Sequence, residues 1–88
     1  MPRISKEIKI QNSQGLHARP AAIFVQIASK YNSKITVIKD KEKVNGKSIM
    51  GILTLGIQNG CPITLEADGD DAVDLLQELE VLLAKEQI

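Results

Sequence analysis

Ile4-Ser5-Lys6-Glu7-Ile8-Lys9-Ile10 ends in strict alternation of apolar and polar residues, which predicts a strand with one buried face. The period then changes. From Ala18 to about Lys30 the apolar residues recur at helical spacing, with Ala18, Ala21, Val25 and Ala28 along one stripe. Ile23 and Ile27 lie off that stripe, so this helix is more apolar than a solvated surface requires, and Asn32-Ser33 ends it. Ile35-Thr36-Val37-Ile38 is a β-branched run that predicts a second strand. The charged turn Lys39-Asp40-Lys41-Glu42 leads to a short third strand near Lys43-Val44. After the turn Asn45-Gly46-Lys47, Ser48 stands as N-cap of a short helix from Ile49 to about Leu53. Asn59-Gly60 turns the chain into a fourth strand, Pro62-Ile63-Thr64-Leu65-Glu66-Ala67, whose proline suits a first strand residue. Asp68-Gly69-Asp70-Asp71 then ends the strand and caps a last helix, where acidic side chains complement the dipole. Ala72, Leu75, Leu76, Leu79, Leu82 and Leu83 form the buried stripe of that helix.

The predicted order is βαββαβα. Helices gathered on one face of a mostly antiparallel sheet give an α+β, two-layer architecture. Eighty-eight residues are enough for one small domain, expected to span residues 1–88, with no repeat and no linker. Eleven basic and eleven acidic residues give a formal net charge of zero, so no global field recruits nucleic acid or an acidic membrane. Cys61 is the only cysteine, which excludes an internal disulfide and fits a reducing cytoplasm. It has no companion for a metal or redox site, and Asp68, Asp70 and Asp71 are assigned to capping rather than to a cation. The start, Met1 to Glu7, lacks the apolar run of a leader, and no segment approaches the ~20 apolar residues of a membrane span. A cytoplasmic monomer without cofactor or metal is expected.

Candidate chemistry concentrates in Gly15-Leu16-His17-Ala18-Arg19-Pro20-Ala21-Ala22. The only histidine falls where a loop becomes a helix, with an arginine two residues on. Proline is tolerated in a first helical turn, because the N–H it lacks would have had no intrahelical partner. The other N–H groups of that turn, those of Ala18 and Arg19, form an anion site together with the positive end of the dipole. Histidine is a nucleophile near neutral pH, and arginine holds oxyanions. A nucleophile and an anion cradle at one point suggest a histidine that carries phosphate. Acceptance requires a neutral ring with a free nitrogen lone pair.

This segment and a second one, Lys47-Ser48-Ile49-Met50-Gly51-Ile52-Leu53-Thr54-Leu55-Gly56, together resemble the HPr family, the histidine-containing phosphocarriers of the phosphoenolpyruvate:sugar phosphotransferase system. The resemblance extends to the element order and covers essentially the whole chain. It implies an open-faced β-sandwich, a four-stranded antiparallel sheet with three helices on one side. It implies that His17 accepts phosphate, on Nδ1, from phosphorylated enzyme I, which phosphoenolpyruvate charges. The phosphate then passes to the enzyme IIA component of a sugar transporter. Arg19 matches the residue that helps hold the phosphate, and Ser48 matches the site of a bifunctional HPr kinase/phosphorylase. Positions matching Ala22, Ile23, Gln26, Ile49, Met50, Gly51 and Leu53 contact the two partner enzymes.

Residue chemistry is compatible with these assignments. Ile49, Met50, Ile52, Leu53 and Leu55 cannot all point inward from one short helix, and an exposed apolar patch beside an active site suits docking. Methionine adapts to several partners, and Gly51 permits close backbone approach. Serine as a helix N-cap needs no regulation to explain it, so Ser48 serves that role with or without modification. Other classes fit less well. An RNA-recognition module shares the βαββαβ order but needs basic charge and aromatic residues on its sheet. Phe24 lies in the first helix and Tyr31 near its end, and the chain has no tryptophan. An independent enzyme lacks support, since the motif holds no carboxylate base and the chain no nucleotide loop. A homologue acting only as a serine-phosphorylated corepressor partner would be expected to lack the histidine.

Overall fold

The computed structural model describes residues 3–88; Met1 and Pro2, where the stretch read as free of a leader begins, lie outside the described residues. The elements are β1 (Arg3–Lys9), α1 (Ala18–Ser29), β2 (Lys34–Lys39), β3 (Glu42–Asn45), α2 (Ile49–Thr54), β4 (Pro62–Asp68) and α3 (Ala72–Leu83). The strands form one antiparallel sheet in the order β1-β4-β2-β3, so the first strand pairs with the last. Arg3 and Lys34 both lie opposite Asp68, and Thr36 lies opposite Asn45.

The period of two decides which face is covered. Ile63, Leu65 and Ala67 of β4 point inward beside Ile35 and Val37 of β2, while Pro62, Thr64, Glu66 and Asp68 alternate outward. All three helices pack over the inward face, giving the two-layer architecture that the pattern predicts and the open-faced sandwich that the resemblance implies. Phe24 of α1, Ile52 of α2, and Leu75 and Leu79 of α3 are wholly buried there. Burial of each such side chain stabilises the fold by roughly 1.5–3 kcal/mol. The predicted stripe of α3 is buried at every position, from Ala72 to Leu83.

Two local expectations are corrected. The buried stripe of α1 consists of Pro20, Ala21, Phe24 and Ala28. Ala18 is exposed and Val25 only half-buried, because the bulk of Phe24 turns the helix toward the core. Asp71 is the N-cap of α3 by position, but its side chain makes no capping bond. Its carboxylate instead accepts the Asn32 and Ser33 backbone N–H groups, each at 2.9 Å, and the Ser33 hydroxyl. Asp71 therefore ties the end of α1 to the start of α3, and the Ser33 hydroxyl bond leads the causes that hold its carboxyl below the usual range. A second tie runs through Glu78, which accepts from Lys30 Nζ at 2.6 Å and from the Tyr31 hydroxyl. These bonds lower the Glu78 carboxyl and push the Tyr31 phenol up to about 12.

Candidate functional site

The site begins in the loop between β1 and α1, which lies against the segment joining α2 to β4. Ile10 donates to the Cys61 carbonyl at 3.1 Å and accepts the Gly60 N–H at 2.8 Å. Asn12 is buried, yet both of its oxygens are partnered: Oδ1 accepts the Gln14 N–H at 2.7 Å and the carbonyl accepts the Gly15 N–H at 3.0 Å. The resulting turn brings Gly15 to φ +74, where a Cβ would stand 2.5 Å from the Ile57 carbonyl oxygen. Only glycine combines that backbone with that approach. Leu16 is then buried, and its N–H donates to the same Ile57 oxygen at 2.9 Å.

His17 follows as the N-cap of α1, with extended backbone (φ −99, ψ −157) and an exposed side chain. Its carbonyl accepts the Ala21 N–H at 2.8 Å, while its ring makes no capping bond. The N–H groups of Ala18 and Arg19 have no intrahelical acceptor, and Pro20 has no N–H to leave unmet. No acidic residue sits in the first turn to offset the positive helix end. Arg19 is exposed. These groups border a depression of about 310 Å³ whose other walls are Asn12, Ser13, Gln14, Gln87 and Ile88. The tail is held there by the Ser13 N–H, which donates to the Glu86 carbonyl at 3.0 Å. Chemically, an unengaged imidazole and oxyanion donors line one depression, an arrangement able to form and hold an N–P bond.

The second segment forms α2. Ser48 Oγ accepts the Gly51 N–H at 3.0 Å, as expected of an N-cap. Lys47 Nζ donates to the Tyr31 carbonyl at 2.7 Å, joining the start of α2 to the end of α1. A Cβ on Gly51 would stand 3.3 Å from both Ser48 Oγ and Val44, so glycine keeps the α2–β3 approach close. Helices α1 and α2 pack together. Ile49 and Met50 are exposed, at 40% and 70%, while Ile52 and Leu55 are buried. Ala22, Ile23, Gly51 and Leu53 are half-buried and Gln26 is exposed.

A larger depression of about 630 Å³, bordered by Ser33, Asp68, Asp70, Asp71 and Asp74, contains no nucleophile comparable to His17. Its Asp71 carboxylate is already engaged by the 32–33 backbone. Among the described residues no cluster of three or more His, Cys, Asp or Glu could hold a metal, and no helix is long and apolar enough to cross a membrane.

A family model described as the PTS HPr component phosphorylation site matches residues 4–85. The chain belongs to the HPr family. It is 42% identical to the HPr-like protein Crh of Halalkalibacterium halodurans, over 94% of this chain and 99% of that protein. It resembles the crystal structure of phosphocarrier protein HPr from Bacillus anthracis with a TM-score of 0.89 and 41% identity, over 92% and 96% of the two chains. An HPr dimer from Thermoanaerobacter tengcongensis matches with 55% identity and a TM-score of 0.72, over 85% and 86%. The expectation of a monomer therefore finds no support among these relatives. HPr proteins are phosphocarriers, and this chain has their fold.

His17, Ala18 and Arg19 share one depression. Ser48 and the apolar positions of α2 lie outside it, at the neighbouring helix. From the sequence alone, Asn59 reads as a turn residue only. In the structure Asn12 is a buried hub of the loop, and Asn59 reaches it from the other segment. Gln87 and Ile88 were not anticipated at the site at all. The sequence carries no signal of this, because the burial of Asn12 and its bond to Asn59 exist only in the folded chain.

Proposed function

We propose that this protein is a cytoplasmic phosphoryl carrier. His17 accepts phosphate from phosphorylated enzyme I, charged by phosphoenolpyruvate, and passes it to enzyme IIA of sugar transporters. The lone pair of a neutral ring nitrogen attacks phosphorus, and an N–P bond forms as the bond from phosphorus to the donor breaks. The Ala18 and Arg19 N–H groups and the Arg19 guanidinium then hold the phosphoryl oxygens. The chain supplies no acid or base, so turnover belongs to its partners and the protein is not itself an enzyme. Ala22, Ile23, Gln26, Ile49, Met50, Gly51 and Leu53 form the docking face, and Ser48 is a regulatory site for HPr kinase/phosphorylase.

The observation that carries this reading is the exposed, unengaged ring of His17 at a helix start with two unpaired N–H groups. The similarity to Crh favours a second reading, in which the protein acts in regulation through Ser48 and relays nothing. The presence of His17 weighs against it. Incubation with phosphoenolpyruvate, Mg²⁺ and purified enzyme I, followed by intact mass measurement, separates the two. One added phosphate, lost in acid and absent in His17→Ala, supports the carrier. No transfer, with the same enzyme I active on another HPr, refutes it and leaves the regulatory reading.

A further inference from the structure

Asn59 lies in the turn between α2 and β4, far from the ring in sequence, and is exposed. Its side-chain Nδ2 nevertheless donates to two successive carbonyls of the histidine loop, Gln11 at 3.2 Å and Asn12 at 3.0 Å. Two carbonyl acceptors fix the orientation of this amide, because only its NH₂ end can satisfy them. The Asn12 carbonyl is also the acceptor that closes the turn to Gly15. A single exposed amide thus braces the turn that sets Gly15, then Leu16, then the N-cap residue His17.

We infer that Asn59 is a positioning residue for phosphorylation of His17: its amide fixes the Asn12–Gly15 turn and so the direction in which the ring and the first-turn N–H groups meet phosphate. The inference rests on the carrier reading and adds a residue to it that touches neither phosphate nor the docking helices. Catalytic geometry is sensitive to small displacements, since a misplacement of about 1 Å costs on the order of a hundredfold in rate. Loosening one turn without removing it is expected to cost less, about tenfold, or about 1.4 kcal/mol.

The test compares wild type, Asn59→Ala and Asn59→Asp as acceptors of phosphate from limiting enzyme I, well below each thermal midpoint. The aspartate keeps the size of the side chain but turns an oxygen toward both carbonyls. Both variants are expected to lower kcat about tenfold with KM unchanged, because docking lies on α1 and α2. In the same samples the amide signals of Gly15, Leu16 and His17 are expected to shift in ¹H–¹⁵N spectra. Unchanged kcat, or a rise in KM alone, overturns the inference. Should wild type accept no phosphate, the carrier reading falls, and the amide signals still decide on Asn59: no shift at Gly15–His17 overturns the brace.

Discussion

Gly15→Ala separates backbone strain from steric approach at the start of the site. Two costs add at this position. A left-handed backbone costs a non-glycine residue about 1–2 kcal/mol. The new methyl group would also stand 2.5 Å from the Ile57 oxygen and 2.8 Å from Gln58 Cα, both backbone atoms that no rotamer change can move. The loop must therefore lift, breaking the bond from Leu16 N–H to Ile57 oxygen, whose loss costs about 0.5–1.5 kcal/mol. The expected destabilisation is about 1.5–3.5 kcal/mol, which lowers the thermal midpoint of a domain this size by roughly 6–28 °C. Gly56→Ala provides the control: φ is +61 there, yet a Cβ meets nothing within 4 Å. That variant should lose only the backbone part, about 1–2 kcal/mol. Urea unfolding of the three proteins measures the difference. Equal losses in the two variants would refute the view that the 57–58 backbone presses on the histidine loop.

Ser48→Ala removes the acceptor of the Gly51 N–H and should cost about 1 kcal/mol in urea unfolding. Ser48→Asp restores an acceptor at the helix start, so it should unfold near wild type while accepting phosphate at His17 more slowly; equal rates count against a regulatory Ser48. The lowered carboxyls of Asp71 and Glu78 give stability that is complete above the ordinary carboxylate range, about 4, and is lost as pH falls through their folded values. Asp71→Asn should flatten the acid limb of a urea-midpoint profile, and an unchanged limb would contradict the tie to Ser33. Tyr31 works at the other end of the scale: its contribution is complete below about 10 and is lost as pH rises through about 12. Being the only tyrosine, it can be followed by ultraviolet absorption, and Glu78→Gln should return its titration toward the ordinary value.

What could be read in the sequence was local or periodic. Leu75, Leu76, Leu79, Leu82 and Leu83 announce the buried face of α3 because helical spacing alone determines it. The strand alternation of Ile63, Leu65 and Ala67 does the same for β4. His17, Arg19 and Pro20 declare a helix start because each has a physical use there, and Ser48 proves to be the N-cap its neighbours suggest. Failures arise where a tertiary partner outbids the local rule. Asp71 has a cap residue's identity, but the Ser33 hydroxyl and two loop amides claim its carboxylate. In α1 the buried face runs through Pro20, Ala21, Phe24 and Ala28, so the large ring takes the inward position and Val25 is only half-buried. Asn12 and Asn59 look like ordinary turn formers, and their partnership spans 47 residues of sequence. No periodicity encodes such a bond.

The strand order carries a consequence for the time course of folding. The histidine loop and the 57–61 segment are brought together by the pairing of β1 with β4, the two strands most distant along the chain. Contacts of such separation bear the largest loop-closure entropy and are costly to form early. A nascent chain that has already emitted Gly15 to Pro20 therefore holds the residues of the site without the site itself. Only after β4 has been made and has zipped onto β1 can Ile57 receive Leu16 and Asn59 grip the turn. The residues of the site are made well before β4, but their assembly waits for that strand.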